Sequence, residues 1–225
     1  MERAAAQVGK HRPAPAGRVE RRRARVRRQL LEAAETLMAA RGVDAVTVEE
    51  ITEAADIARR SFYHHFDSKH DLLVPIARSR TKSLNRRIDR LIERVRDPAE
   101  AVSVALRHTF RGIPEDPLCA WFVLRSGLPY ERLLDGIGES GIRDVARGVA
   151  EGRFAVDNAG AGSTLLVGSV IAVISARVEG KLREEDLDDA VEYALRLLGV
   201  PVAEARGIAH RPLPPLPEES GGFEE

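Results

Sequence analysis

The chain has 225 residues, one cysteine, 44% hydrophobic residues, 31% charged residues and a formal net charge of zero. That length and composition fit one or two folded domains and exclude a disordered chain. The single Cys119 excludes a disulfide framework and any multi-cysteine zinc site, and fits a reducing cytoplasm. The zero net charge conceals an asymmetry. Residues 1–96 hold 22 Lys and Arg against 13 Asp and Glu, and residues 97–225 hold 13 against 22. A basic half joined to an acidic half points to one part that meets a polyanion and one that does not.

In chain order, residues 1–20 are basic and rich in Ala, Pro and Gly, and read as a disordered arm. Val26, Leu30, Ala34, Leu37 and Met38 then fall on one helical face, with Gly42 as its stop. Thr47 to Glu50 is a capping box that opens a second helix, marked by Val48, Ile51 and Ala55. Asp56-Ile57-Ala58 interrupts it, and a third helix runs from Arg59 to His65. Ser68-Lys69-His70-Asp71 opens a long fourth helix to about Arg96, which Asp97-Pro98 ends. Val43 to Val48 alternates like a strand but has no room to find a partner.

Five more helices are read beyond Pro98: Ala99–Gly112, Leu118–Gly127, Tyr130–Gly152, Asn158–Glu179 and Glu184–Leu198. The predicted fold class is therefore all-α. Residues 207–225, rich in Pro and Glu, read as a disordered tail. Asn158 to Ala176 carries no charge over 19 residues, which reaches the length of a membrane span. Its Asn, Ser, Thr and Gly content favours a helix buried in protein, with no membrane partner.

Two short helices joined by about three residues, behind a first packing helix, make a helix-turn-helix whose second helix enters the major groove. Ile51, Ala55, Ile57, Phe62 and Phe66 supply its apolar underside. Arg59, Arg60 and Ser61 lead the second helix, and Thr47, Tyr63, His64 and Lys69 suit phosphate contacts. His65 is open between packing and a phosphate contact. The seven arginines from Arg18 to Arg28 read as a tail crossing phosphates, against a plain solvated run.

Thr47 to Leu73, above all Ser61-Phe62-Tyr63-His64-His65-Phe66 with Ser68-Lys69, closely resembles the DNA-binding signature of the tetracycline-repressor (TetR) family. The specific match covers residues 26–75. The resemblance implies an N-terminal three-helix DNA-binding domain at 21–73 and a helical ligand-binding and dimerisation domain at 74–206. It implies a double-stranded DNA operator, a homodimer through Asn158–Glu179 and Glu184–Leu198, and release by a small-molecule ligand. A ligand-independent regulator or an activator is the alternative. Two positions depart from the family's pattern: Asp56 stands where a turn glycine is usual, and Ala58 where a capping serine is usual.

Half of the ten aromatic residues are Phe110, Trp121, Phe122, Tyr130 and Phe154. With Arg125 as a polar anchor they are the candidate pocket for an apolar or aromatic effector, against ordinary core. Gly136 to Gly141 spells a nucleotide-loop pattern, but charged helical residues precede it where a strand is required. His64, His65 and His70 lack the partners for a metal site. No catalytic constellation is present, so the expectation is a cytoplasmic regulator without cofactor or metal, and not an enzyme.

Overall fold

A computed structural model describes residues 17–126 and 139–218. All regular structure among the described residues is helical. The elements are α1 (Arg18–Arg41), α2 (Val48–Ala54), α3 (Arg59–Phe62), α4 (Leu73–Ile92), α5 (Pro98–Glu115), α6 (Pro117–Ser126), α7 (Glu139–Ala150), α8 (Ala159–Val178), α9 (Leu187–Leu197) and α10 (Val202–Ala209). Short 3₁₀ turns at Lys69–Leu72 and Glu184–Asp186 lead into α4 and α9.

α1 starts at Arg18, inside the stretch expected to be a disordered arm. Glu20 explains the early start, because its carboxylate accepts the Gly17 amide at 2.8 Å and caps the first turn. Arginine is also a good helix former. Leu30, Ala34 and Met38 of α1 pack on Ile51 of α2, Phe62 of α3 and Leu72, Leu73 and Ile76 at the start of α4. This is the N-terminal core.

α5 is the axis of the other half. It packs against α4, α6, α7, α8, α9 and α10. Val102, Leu106, Phe110 and Ile113 on α5 meet Leu166, Val170 and Ile174 of α8 and Leu187, Val191 and Leu195 of α9. Asp97 caps α5 through the Ala99 amide at 2.9 Å and holds the Arg153 guanidinium at 2.7 Å. That guanidinium keeps the Asp97 carboxyl below the usual carboxylate range.

The tail differs from expectation. α10 crosses the expected boundary at 206, and residues 210–218 lie extended along α4 and α5. The Arg211, Pro214 and Pro217 carbonyls accept from Arg107, His108 and Arg87 at 2.6, 3.0 and 2.9 Å. Leu213 and Leu216 pack on Ile88, Ile92, Ala101 and Val104. Pro- and Glu-rich composition does not prevent order when two leucines find an apolar groove and the carbonyls of Arg211, Pro214 and Pro217 find side-chain donors.

α8 follows the predicted Asn158–Glu179 closely, and Asn158 caps it through the Ala161 amide at 3.0 Å. Phe154 is buried in the core with its ring over Gly148, where an added Cβ would stand 2.2 Å from it. Gly148→Ala must therefore displace Phe154. It should lower the unfolding free energy by about 1–3 kcal/mol, measured by urea denaturation.

Candidate nucleic-acid interface

The helix-turn-helix is built from local capping. The Thr47 hydroxyl accepts the Glu50 amide at 3.2 Å, and the Glu50 carboxylate accepts the Thr47 amide at 2.8 Å. That backbone bond, followed by Arg41, lowers the Glu50 pKa to about 2. Thr47 is thus exposed at the N-terminus of α2 with its orientation fixed. Asp56 sits at φ 54°, the left-handed geometry a turn glycine would take without strain. Its amide donates to Glu53 and that of Ile57 to Thr52, which closes the turn. Ala58 opens α3 without a side-chain cap.

α3 is held from below. Phe62 is fully buried, with its ring centroid 5.3 Å from Tyr63 and 5.8 Å from Phe66. Arg59, Arg60, Tyr63 and His64 face solvent, and Ser61 is half-buried. Tyr63 is 48% exposed. Arg59 forms an ion pair with Glu49 of α2, and Tyr63, then Glu49, raise its pKa further. His65 is half-buried, and its desolvation with Arg23 nearby lowers its pKa. Arg27 lies over the Phe66 ring at 5.2 Å. The arginine-rich start of α1 is therefore helical, and Arg27 holds its end against Phe66 just past α3.

Lys69 departs from its expected role. Its ammonium donates to the carbonyls of Val43, Asp44 and Val46 at 3.0, 3.1 and 2.7 Å. An ammonium has three donors, and all three are engaged. Lys69 holds the α1–α2 loop in place and is not poised for a phosphate. The Thr-x-x-Glu and Ser-x-x-Asp caps were readable from spacing, but a contact across 23 or more residues was not.

Of the expected aromatic pocket residues that are described, Phe110 lines a cavity, while Trp121, Phe122 and Phe154 pack elsewhere. Trp121 of α6 stacks on His70 at 5.2 Å and points its indole nitrogen at Asp44, 3.3 Å away. It docks α6 onto the N-terminal half, as does Leu118, which is buried in that core. Phe122 lies between the two cores, and Phe110 and Phe154 fill the second. Tyr130 and the Arg125 side chain lie outside the described residues. Among the described residues, one cavity in this half lies between α4, α5, α7 and α8, with Asn85, Asp89, Leu106, Asp144, Val145 and Val170 in its walls, and a larger, more open one lies along α8 and α9, with Phe110, Val173, Tyr193 and Leu197 in its walls. Sequence patterning favoured aromatics because they are conspicuous, whereas the cavity between α4, α5, α7 and α8 is walled by aliphatic and polar residues.

Residues 30–76 match the bacterial regulatory proteins of the tetR family, and residues 97–211 match the tetracyclin repressor-like C-terminal domain. The chain belongs to the TetR family. Its TetR fold is shared with a crystal structure of RolR in complex with the ligand resorcinol. The identity there is 34%, the TM-score is 0.79, and 88% of this chain and all of that chain are covered. FadR from Bacillus subtilis, solved with stearoyl-CoA, shares the fold at 17% identity and a TM-score of 0.55, covering 76% and 96% of the two chains. An uncharacterized HTH-type transcriptional regulator of Mycobacterium tuberculosis is 35% identical over 95 residues, 42% of this chain and 47% of its own length. The repressor KstR2 of Rhodococcus jostii is 50% identical over 52 residues, 23% of this chain and 26% of its own. The chain spans about half or less of the length of these curated relatives.

Lys69→Met should lower stability by about 1–3 kcal/mol, since it leaves the loop carbonyls with fewer partners. The salt dependence of DNA binding should keep its slope. Loss of a phosphate contact would instead reduce that slope by about 1.

Proposed function

We propose that this chain is a cytoplasmic homodimeric repressor that binds a quasi-palindromic operator through α3 and is released by a small molecule held in its C-terminal half. The observation that carries the reading is the exposed leading edge of α3. Arg59, Arg60 and Tyr63 face solvent there, on a helix whose underside is pinned by Phe62. Arg60 is the candidate for base readout, since an arginine can bind guanine O6 and N7 together. Arg59 can exchange Glu49 for DNA. Thr47, Ser61, Tyr63 and His64 are the candidates for the backbone. Arg23 and Arg27 extend the basic surface along α1.

The dimer surface is α8 with α9. Gly160–Val178 is long and apolar enough to cross a membrane, yet only 28% of its most apolar window is buried in the chain. Ala161, Leu165, Gly168 and Ala172 form one exposed face of α8, and Leu165 is 61% exposed. Tyr193 of α9 is also 61% exposed beside Leu197. A second copy of the same two helices covers such a face, and small residues allow close approach. A two-fold dimer would present two copies of α3 about 34–36 Å apart, or a multiple of that.

RolR, at 34% identity over its whole length, was solved with a small ligand, which supports a small-molecule effector here. DNA and effector would oppose each other by linkage, and the effector weakens DNA binding only by its preference for the released conformation.

Arg60→Ala should relax sequence preference by about 1–3 kcal/mol at one base pair, read by gel shift with operator variants. Tyr63→Phe should weaken all sequences alike. If neither changes binding to the DNA upstream of the coding region, the placement of the recognition helix is wrong. Leu165→Glu puts a charge into the α8 face. It should shift the chain from dimer to monomer in analytical ultracentrifugation, and an unchanged sedimentation coefficient would refute this dimer surface.

A further inference from the structure

Where α10 passes into the extended tail, the fold gathers a set of metal-type donors that the repressor reading does not use. Asp189 and Glu192 stand three residues apart on α9, so both carboxylates share one face of that helix. His210 directly follows α10, which packs on α9. One oxygen of Asp189, one oxygen of Glu192 and an imidazole nitrogen of His210 lie within 4.8 Å of one another. Sequence spacing does not show this set, because His210 reaches α9 only through the packing of α10.

The protein serves these groups unequally. Glu192 is only 9% exposed, yet no hydrogen bond to its carboxylate is found among the described residues. Its ion pair with Arg196 is long, at 3.5 Å. Arg196 also lies over the Tyr193 ring at 5.5 Å, and 41% of its side chain is exposed, so it is free to turn away. A carboxylate has about four acceptor sites, and a buried one with a single distant cation is poorly compensated. Asp189 and His210 are exposed beside it, with the His210 Nε2 3.3 Å from an Asp189 oxygen.

These donors define the cation. A zinc ion about 2.0–2.2 Å from its ligands sets them about 3.4 Å apart, close to the Asp189–His210 separation. A small rotation of Glu192 completes a three-ligand face, and the exposed side leaves room for water. Imidazole with two carboxylates suits a borderline transition ion, whereas Mg²⁺ and Ca²⁺ prefer oxygen alone.

We propose that Asp189, Glu192 and His210 bind one divalent transition-metal ion of the zinc type, which ties the start of the C-terminal tail to α9. The next residue is already held, since the Arg211 carbonyl accepts from Arg107 at 2.6 Å and its guanidinium pairs with Glu100 at 3.1 Å. The ion adds a cross-link at the point where α10 gives way to the segment lying on α4 and α5. Binding needs neither DNA nor an effector, so it is independent of the repressor reading.

Calorimetric titration of untagged, chelator-stripped full-length protein with Zn²⁺ tests this. One site per chain is expected, with Mg²⁺ at least about a hundredfold weaker. Zn²⁺ at about a hundred times its Kd should raise the melting temperature by about 5–10 °C. His210→Ala and Asp189→Asn each remove an exposed donor and should weaken Zn²⁺ by at least about tenfold, with melting curves in chelator establishing that both variants fold. No saturable Zn²⁺ binding tighter than about 100 μM would overturn the proposal. So would Zn²⁺ affinity unchanged in either variant, Mg²⁺ binding as tightly as Zn²⁺, or Zn²⁺ binding that leaves the melting temperature where it was.

Discussion

The structure depends on one helix being packed into two cores at once. Leu73 and Ile76 at the start of α4 complete the N-terminal core under α2 and α3. Ile88 and Ile92 at its other end pack on α5 and wall the cavity. A continuous helix of 20 residues is about 30 Å long and stiff. Under the proposed function, a shift at the Ile88 end of α4 would reach Leu73 and Ile76, because close-packed cores do not absorb it locally. In that reading, connectivity and packing of α4 are enough to couple the two halves, without a special pathway of residues.

Polar contacts fix the same arrangement from the side. Arg80 of α4 binds Glu35 of α1 at 2.8 Å and also the Asp116 carboxylate. Asp116 in turn accepts the Leu118 and Cys119 amides that open α6. Trp121 then reaches back to His70 and Asp44. The guanidinium is part-exposed, so each pair is worth little alone. Their value is geometric: α1, α4 and α6 meet in one orientation, and movement of α4 must strain or rearrange this cluster. Cys119 lies buried beside it with its thiol pushed up to about 12 by burial, which makes it inert.

Much of this was legible in the residues. Local signals carried the helix starts: the Thr47–Glu50 and Ser68–Asp71 boxes both form, and Asn158 caps α8. Asp56 takes the left-handed turn where the family resemblance places a glycine. Periodicity found the core faces of α1, α5 and α9. What failed was long-range. The three bonds of Lys69, the docking of Trp121 and the order of residues 210–218 all depend on partners tens of residues away. No local spacing encodes such pairings. The cavity was missed for a related reason. Its aliphatic walls look like ordinary core until the packing leaves a gap, and Asn85 and Asp144 look like surface residues until burial shows otherwise.

In the proposed function, a small molecule bound in the C-terminal half moves α4 and so weakens DNA binding by α3. The direct measurement is fluorescence anisotropy of labelled DNA from upstream of the coding region, titrated with protein, with and without saturating resorcinol. A weakening of about 5- to 150-fold, matched by an equal weakening of resorcinol binding when DNA is saturating, is the predicted result. Equal DNA affinity in the two titrations, with calorimetry showing resorcinol bound, would contradict the account.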